Sequence, residues 1–207
     1  MRKAAIVAGV AIIVLAVAAG WFWRVNIYAG APAPPPQVAL GQTVADFTLP
    51  DLDGRPQSLA GLKGEKGTLL IFIATRCPYS NGYNSRMEAV NKDYAARGVR
   101  LVGINSNRTE PVEEIRQHAR ENGFTFTILR DDGNRVADFF GASVTPEVFL
   151  LDAGGVLRYH GRLDAAHDDP SLNSGELREA LNQMLGGQQI ANTGKKAFGC
   201  TIKRVTS

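Results

Sequence analysis

The sequence predicts an α/β domain, in which helices cover both faces of a central mixed β-sheet, preceded by one transmembrane helix. Three observations carry this prediction: an uncharged run at residues 4–23, an apolar run at residues 68–74 that is followed by helical periodicity, and a strand–turn–strand pattern at residues 148–159. The predicted order, β-α-β-α-β-α-β-β-α, places parallel strands first and an antiparallel hairpin near the end.

The N-terminal segment has the composition of a membrane anchor. Two basic residues precede residues 4–23, which carry no charge, and a helix of that length matches a hydrocarbon core of about 30 Å. Trp21 and Trp23 end the run, where an aromatic belt meets the headgroups. We therefore expect residues 1–25 to be the signal-anchor of a single-pass membrane protein, with the domain on the extracytoplasmic side, periplasmic or extracellular. A cleaved signal peptide is the alternative, and it too would export the domain.

Three further segments follow the anchor. Four prolines fall between residues 31 and 36, which predicts an extended polyproline linker at residues 26–38. We place the folded domain at residues 39–188. The C-terminal tail, which carries Cys200, occupies residues 189–207.

Charge and cysteine content exclude several classes of function. The chain has 23 basic and 20 acidic residues, and the basic excess lies at the two ends, which leaves the domain mildly acidic. Nucleic-acid binding needs a basic face on the domain, so we expect no nucleic-acid partner. With Cys77 and Cys200 as its two cysteines, the sequence excludes a disulfide-rich scaffold and a Cys-rich zinc site. We predict no metal and no cofactor.

The secondary structure of the domain follows from hydrophobic periodicity. Thr68–Ala74 is a continuous apolar run with β-branched and aromatic side chains, which predicts a central strand buried on both faces. After it, Tyr83, Met87, Val90 and Tyr94 recur at helical spacing, which predicts one amphipathic helix. The remaining predicted elements are a strand at Val99–Asn105, a helix opened by Pro111 and followed by Gly123, a short strand at Phe124–Leu129, a helix at Asp132–Phe140, strands at Val148–Leu151 and Val156–Tyr159, and a last helix capped by Asn173 or Ser174.

Cys77 lies between the predicted central strand and the helix that follows it. A thiol at a helix N-terminus is close to unpaired backbone N–H groups and to the positive end of the helix dipole, which stabilise the thiolate. Arg76 adds a positive charge beside it, and Pro78 fits the first helical turn without loss of a hydrogen bond. Open α/β sheets bind ligands beyond the carboxyl ends of their strands, so this position favours a reactive thiol over an inert buried cysteine.

Four separated motifs resemble those of one protein family. They are Ile71-Phe-Ile-Ala-Thr-Arg-Cys-Pro-Tyr-Ser80, Val102-Gly-Ile-Asn-Ser-Asn107, Thr145-Pro-Glu147 and Ala197-Phe-Gly-Cys-Thr-Ile-Lys203. Together they resemble the peroxiredoxin-like (AhpC/TSA-like redoxin) branch of the thioredoxin superfamily, over roughly residues 40–204. The resemblance implies a thioredoxin fold and redox chemistry at a cysteine.

The resemblance also implies roles for the residues of the first motif. The redox motif of the superfamily is Cys-x-x-Cys, and here Cys77 takes the place of the nucleophilic first cysteine. Ser80 takes the place of the second, so no resolving thiol is nearby in sequence. In true peroxiredoxins the corresponding motif is Thr-x-x-Cys, and the peroxidatic cysteine is its last residue, at the position that Ser80 occupies here. Because this chain has a serine at that position, the motif argues against a peroxiredoxin-type peroxidase.

The third motif implies a substrate-binding loop. Thr145-Pro146 resembles the cis-proline of the fold, which faces the nucleophile and pairs its backbone with an incoming peptide. Glu147 is predicted to be either a solvated charge or a proton acceptor for Cys77.

Cys200 lies in the tail, with Phe198 and Ile202 as the apolar side chains that could anchor it. One interpretation makes Cys200 the resolving thiol for Cys77, in place of Ser80. The other makes the Cys77–Cys200 pair a static structural disulfide. Because the tail is rich in glycine and basic residues, it has little apolar surface to bury, and we expect it to be loose when the cysteines are reduced.

Three functions remain open at this point. The first is an exported, membrane-tethered thiol–disulfide oxidoreductase with Cys77 as nucleophile and Cys200 as resolving thiol. The second is an antioxidant peroxidase, in which a hydroperoxide oxidises Cys77 to a sulfenic acid that condenses with Cys200. The third is a non-enzymatic binding module with a structural disulfide. The expected partners are protein thiols or disulfides, the membrane through residues 4–23, and a membrane reductase for the first two functions.

The histidines receive no functional role from the sequence. His118 and Arg120 are expected on the outer, solvated face of their helix. His160 and His167 flank a loop that contains Asp164 and is predicted to be hydrated, because its spacing matches no recognised set of metal ligands.

Overall fold

The computed structural model describes residues 37–165 and 175–205. The predicted anchor at residues 4–23 lies outside these ranges, as do His167 and the two candidate cap residues of the last helix. Within the described ranges, no helix is long and apolar enough to cross a bilayer.

The described residues form six helices and nine strands. The strands are β1 (Thr48–Pro50), β2 (Pro56–Ser58), β3 (Gly67–Phe72), β4 (Val99–Asn105), β5 (Thr127–Arg130), β6 (Val144–Thr145), β7 (Glu147–Asp152), β8 (Leu157–Gly161) and β9 (Cys200–Thr201). The helices are α1 (Leu59–Leu62), α2 (Pro78–Gly82), α3 (Asn84–Ala95), α4 (Val112–Glu121), α5 (Arg135–Phe140) and α6 (Glu176–Leu185).

A five-stranded mixed sheet forms the centre of the domain, in the order β5-β4-β3-β7-β8. Strands β3, β4 and β5 are parallel, and β7 pairs antiparallel with both β3 and β8. The predicted central strand is confirmed as β3. The carboxyl ends of β3 and β4 lie at the same edge of the sheet, and the chain after β3 leads directly to Cys77.

Both faces of the sheet are covered, which explains why β3 is apolar at nearly every position. Side chains alternate between the two faces of a strand, so Leu69 and Ile71 pack on one side with α3 and α6, whereas Leu70 and Phe72 pack on the other with α1 and α5. All of these side chains are fully buried. The sheet is therefore a rigid platform from which the loop after β3 projects.

Several element boundaries differ from those predicted. The helix after Cys77 is interrupted at Tyr83, whose φ of −101° and ψ of −2° end α2 and begin α3. The ring of Tyr83 is buried, and its hydroxyl donates to the carbonyl of Asp164, so the interruption turns an aromatic side chain into the core. The last helix begins after Gly175 at a φ of 65°, and no side chain caps it. Strands β1 and β2 form a hairpin that the periodicity did not predict.

The tail is docked against the domain, although both cysteines are free thiols. Backbone N–H groups in and just after β8 donate to carbonyl oxygens of the tail: His160 to Thr193 and Arg162 to Lys195, each at 2.9 Å. A Cβ atom on Gly194, at a φ of 132°, would lie 1.9 Å from the carbonyl oxygen of His160, so this close approach needs glycine. The expectation of a loose reduced tail is wrong, because main-chain pairing holds the tail without a large apolar surface.

Candidate functional site

Cys77 caps helix α2 at the carboxyl end of β3. Its sulfur accepts a hydrogen bond from the backbone N–H of Ser80 at 3.3 Å, and Pro78 occupies the first position of the helix. The hydroxyl of Ser80 is turned away from the sulfur and accepts from the backbone N–H of Ala74 at 3.2 Å. Cys77 is only 1% exposed. The structure thus places the predicted nucleophile at a helix N-terminus, beneath other parts of the chain.

The loop between β6 and β7 faces the sulfur. The Thr145–Pro146 peptide bond is cis. The Cys77 thiol lies 3.3 Å from the carbonyl oxygen of Thr145, to which it donates. Thr145 is 1% exposed, so its backbone is fixed beside the thiol.

The tail brings Cys200 to the same place. Strand β9 pairs antiparallel with β6, and Cys200 lies directly opposite Thr145. This pairing brings Cys200 beside Cys77, because the Cys77 sulfur lies 3.3 Å from the carbonyl oxygen of Thr145. The two cysteines and the Thr145–Pro146 loop, which are far apart in sequence, therefore form one site.

The pKa values of the two thiols are shifted in opposite directions. Burial raises the pKa of Cys77, but hydrogen bonds from the Cys200 thiol, the Thr145 side chain and the backbone N–H groups of Ser80 and Cys200 outweigh it and hold that pKa below its ordinary value. The pKa of Cys200 is raised, first by burial and then by its hydrogen bond with Cys77 and the negative charge of that residue. Of the two thiols, Cys77 is therefore the one that ionises more readily.

A buried carboxylate positions the loop that carries Cys77, and the sequence did not predict it. Glu110 is 3% exposed and accepts from the backbone N–H groups of Thr75 and Arg76, at 2.9 and 3.0 Å, and from the amide of Asn105 at 2.6 Å. Because β3 and β4 run parallel, the loop after β4 meets the loop before Cys77 at one sheet edge. That topology is the signal that could have identified Glu110.

Arg76 does not have the predicted role. Its guanidinium binds both carboxylate oxygens of Glu114, with the Nε atom 2.8 Å from one of them. The hydrogen bonds from Arg76 and then from Thr75 lower the pKa of Glu114. The charge of Arg76 is thereby directed away from the sulfur, which corrects the expectation that it stabilises the thiolate.

Glu147 is neither solvated nor in contact with Cys77. It is 5% exposed, and one oxygen accepts from the backbone N–H groups of Ser143 and Val144, at 2.8 and 3.2 Å. The other oxygen lies 2.7 Å from Nε2 of His160, whose ring stacks on Phe149. Glu147 therefore anchors the Thr145–Pro146 loop from behind.

The expectations for His118 and for the loop at Asp164 were wrong, whereas Arg120 is exposed as expected. His118 is half-buried, with Nε2 3.2 Å from the amide of Asn84, and burial lowers its pKa. His160 lies near the end of β8, which places it beside the loop that it was expected to flank. Asp164 is buried, with an oxygen 3.2 Å from the guanidinium of Arg86.

Known proteins resemble the part of this chain that contains Cys77 and the Thr145–Pro146 loop. A profile of the AhpC/TSA family matches residues 40–160. The thiol-disulfide oxidoreductase ResA of Geobacillus thermodenitrificans is 32% identical over 133 residues, which cover 64% of this chain and 75% of that protein. The chloroplastic peroxiredoxin Q of Sedum lineare is 29% identical over 129 residues, 59% of this chain and 68% of that protein.

Among solved structures, a hypothetical protein of Sinorhizobium meliloti 1021 superimposes with a TM-score of 0.76 at 32% identity, over 83% of this chain and 98% of that one. The thioredoxin-like α/β architecture, a central mixed sheet flanked by helices, is confirmed. Because the profile covers more than half of the sequence, the chain belongs to the AhpC/TSA family.

Proposed function

We propose that this chain is an exported thiol–disulfide oxidoreductase in which Cys77 is the nucleophile and Cys200 the resolving thiol. One observation carries the proposal: β9 pairs with β6 so that Cys200 lies opposite Thr145, whose carbonyl oxygen is 3.3 Å from the Cys77 sulfur. The family relationship and relatives named thiol-disulfide oxidoreductase support the same activity.

The site geometry supports a two-step exchange. The Cys77 thiolate attacks one sulfur of a substrate disulfide, that bond breaks, and the other substrate sulfur leaves as a thiolate. Cys200, after losing its proton, attacks the Cys77 sulfur of the mixed disulfide and releases the second substrate thiol. Two electrons pass from the two protein thiols to the substrate, and a Cys77–Cys200 disulfide remains. The reverse sequence oxidises a substrate dithiol.

The exchange needs a nucleophilic thiol that is more acidic than the resolving thiol, and the pKa shifts of Cys77 and Cys200 have these directions. A thiol with a lowered pKa is ionised to a greater extent at a given pH and is also the better leaving group. A substrate disulfide is therefore attacked by Cys77 rather than by Cys200, and the pairing of β9 with β6 opposite Thr145 directs Cys200 to the mixed disulfide. The backbone N–H of Ser80 and the carbonyl oxygen of Thr145, the residue before Pro146, both contact the sulfur.

Attachment to a membrane is part of the proposal. The uncharged run at residues 4–23 would hold the domain on the extracytoplasmic side, where a disulfide between the two cysteines persists. Regeneration of the dithiol needs an electron donor, and a membrane reductase is our candidate.

Trapping of mixed disulfides tests the proposal. In membranes that express Cys200→Ser, we expect adducts with partner proteins on non-reducing gels, because the resolving step is removed. The matched double variant, Cys77→Ser with Cys200→Ser, should form none. A structural disulfide would give a different result: Cys200→Ser would lower the free energy of unfolding and trap no partner. A sulfenic acid captured at Cys77 by dimedone after peroxide, with fast turnover, would favour the peroxidase instead.

A further inference from the structure

The tail covers the reactive thiol. With residues Ala197–Ile202 in place, Cys77 is 1% exposed, so a protein disulfide reaches the sulfur only after this segment has moved. We call Ala197–Ile202 the covering segment.

We propose that the covering segment is an internal ligand of the substrate groove, and that a polypeptide substrate of Cys77 binds there as an extended strand with the same pattern: aromatic, glycine, cysteine, any residue, aliphatic. This inference rests on the proposed exchange at Cys77 and names the substrate class for it.

The backbone of the covering segment shows how such a strand binds. Cys200 lies opposite Thr145 and Thr201 opposite Val144, in antiparallel pairing, and the N–H of Ile202 donates to the carbonyl of Ser143 at 3.0 Å. Main-chain bonds of this kind give affinity for any extended peptide, whereas the side chains at alternate positions give specificity. The pairing also fixes the register that puts a cysteine beside Cys77.

The side chains on either side of Cys200 define two subsites. Residues two apart on a strand point to the same face, so Phe198, Cys200 and Ile202 share one. The ring of Phe198 meets that of Tyr79 edge to face, with centroids 6.1 Å apart. Ile202 is 3% exposed within the apolar cluster that includes Phe140. An aromatic side chain two residues before the cysteine and an aliphatic one two residues after it therefore fit the groove.

The position before the cysteine is restricted by the opposing backbone. A Cβ atom on Gly199 would lie 2.0 Å from the carbonyl oxygen of Thr145, and the φ of Gly199 is 154°. A strand that binds in this register consequently needs glycine there.

Substrate and covering segment compete for one pairing site, which links the two chemical steps. When a substrate strand pairs with Thr145 and forms a mixed disulfide with Cys77, the covering segment is displaced. When the covering segment pairs with Thr145 again, it removes the substrate strand and brings the Cys200 sulfur to Cys77. The Cys77–substrate bond breaks, the Cys77–Cys200 bond forms, and the substrate leaves as a thiol.

Peptide disulfides test the proposal on the full-length Cys200→Ser chain. The probe is the peptide Lys-Ala-Phe-Gly-Cys-Thr-Ile-Lys, with its cysteine joined by a disulfide to 2-nitro-5-thiobenzoate. The Cys77 thiolate attacks the peptide sulfur, a Cys77–peptide disulfide forms, and nitrothiobenzoate leaves as a coloured thiolate whose release gives the rate. We expect this peptide to react about tenfold faster than one with alanine in place of phenylalanine, isoleucine or glycine, since one such subsite is worth about a factor of ten.

Variants of the covering segment test its displacement. Gly199→Ala added to Cys200→Ser places a methyl group against Thr145 and should raise the rate with every peptide about tenfold, because the groove is then empty more often. Phe198→Ala added to Cys200→Ser removes the ring that contacts Tyr79 and should also raise the rate. Lys196→Ala, an exposed neighbour outside the segment, is the matched control and should leave the rate unchanged.

The outcomes separate this inference from the proposed function. Equal rates for all peptides, with no effect of Gly199→Ala or Phe198→Ala, would overturn the inference and leave the exchange at Cys77 intact. Failure of Cys77 to react with any peptide or with the small disulfide 5,5′-dithiobis(2-nitrobenzoate), in every variant, would overturn both.

Discussion

At the Cys77 sulfur, burial and hydrogen bonding act in opposite directions. Burial alone would raise the pKa of the thiol, yet donors from Cys200, Thr145 and Ser80 outweigh it. The helix N-terminus contributes through the N–H of Ser80, as the sequence position predicts. The other donors come from residues that are distant in sequence, and they make this thiol different from any cysteine that merely caps a helix.

The first prediction concerns the pH dependence of alkylation at Cys77. In Cys200→Ser, the rate of reaction with iodoacetamide should rise with a midpoint below the reference pKa of about 8.5, because the donors remain and only the thiolate reacts. Cys200→Ala should shift the midpoint upward, since it removes a donor. Arg76→Ala, added to Cys200→Ser, should move it little, because that guanidinium binds Glu114. A midpoint at or above the reference in Cys200→Ser would contradict the assignment of Cys77 as a thiolate.

The second prediction concerns Glu110. Glu110→Ala leaves three N–H donors without their acceptor, and at about 1–3 kcal/mol for each buried group we expect the free energy of unfolding to fall by about 3 kcal/mol or more. Urea denaturation measures this loss. Because the donors include Arg76, next to Cys77, the alkylation midpoint should move as well. Glu113→Gln, at a carboxylate that is 69% exposed, is the control; an equal effect of the two substitutions would refute the anchoring role of Glu110.

The sequence identified the two cysteines and Pro146 of the candidate site more readily than the residues that hold them in place. Cys77 and Cys200 stand out because cysteine is rare in this chain, and Pro146 stands out through the resemblance at its motif. Glu110 and Glu147 are acidic residues in loops, for which exposure to solvent is the ordinary expectation. Their burial depends on which loops meet at the edge of the sheet, and local periodicity carries no such information.

At the scale of the elements, regular periodicity was the reliable signal. The predicted strand at Val99–Asn105 coincides with β4, and the predicted pair of late strands is the hairpin of β7 and β8. Among the missed elements, β6 and β9 are each two residues long and pair over a large sequence separation. Two residues cannot show a period, so a pairing of this kind has to be found from the tertiary structure.

The third prediction concerns the junction of α6, β8 and the tail. Glu176, at the start of α6, accepts from Arg162 at 2.7 and 2.8 Å and lies 2.9 Å from the ammonium of Lys195. These contacts, chiefly the hydrogen bond from Arg162, lower the pKa of Glu176 to about 2. A carboxylate whose pKa is depressed on folding stabilises the fold above its unfolded pKa, and the contribution is lost as the pH falls toward the folded pKa.

We therefore expect Glu176→Gln to lower the free energy of unfolding by about 2–3 kcal/mol at neutral pH, because Arg162 is left without its ion-pair partner. The difference from the unmodified chain should shrink as the pH falls from about 4.5 to about 2. Glu179→Gln, at an exposed position in the same helical turn, is the control and should have little effect at any pH. A pH-independent difference for Glu176→Gln would show that the ion pair is not its cause.

At the scale of the whole molecule, the C-terminal tail packs against elements that are distant from it in sequence. It pairs with β8, supplies β9 opposite β6, and contributes Ile202 to the apolar core. All of this is in place while both cysteines are free. Formation of the Cys77–Cys200 disulfide therefore requires little further ordering of the native state, and most of its effect on stability should come from restriction of the unfolded chain.

The fourth prediction follows from this preorganisation. Linking residues 77 and 200 closes a loop of about 120 residues, for which chain entropy gives a stabilisation of about 5 kcal/mol. By linkage, the fold stabilises the disulfide by the same amount, and since about 1.4 kcal/mol corresponds to about 30 mV, the native pair should have a reduction potential about 100 mV below that of the same pair in the unfolded chain. Glutathione titration with and without urea measures the difference. Equal potentials in the two states would mean that the free-thiol chain does not hold the tail at Cys77, whereas a native potential well below about −300 mV would mark a structural bond that substrates do not cycle.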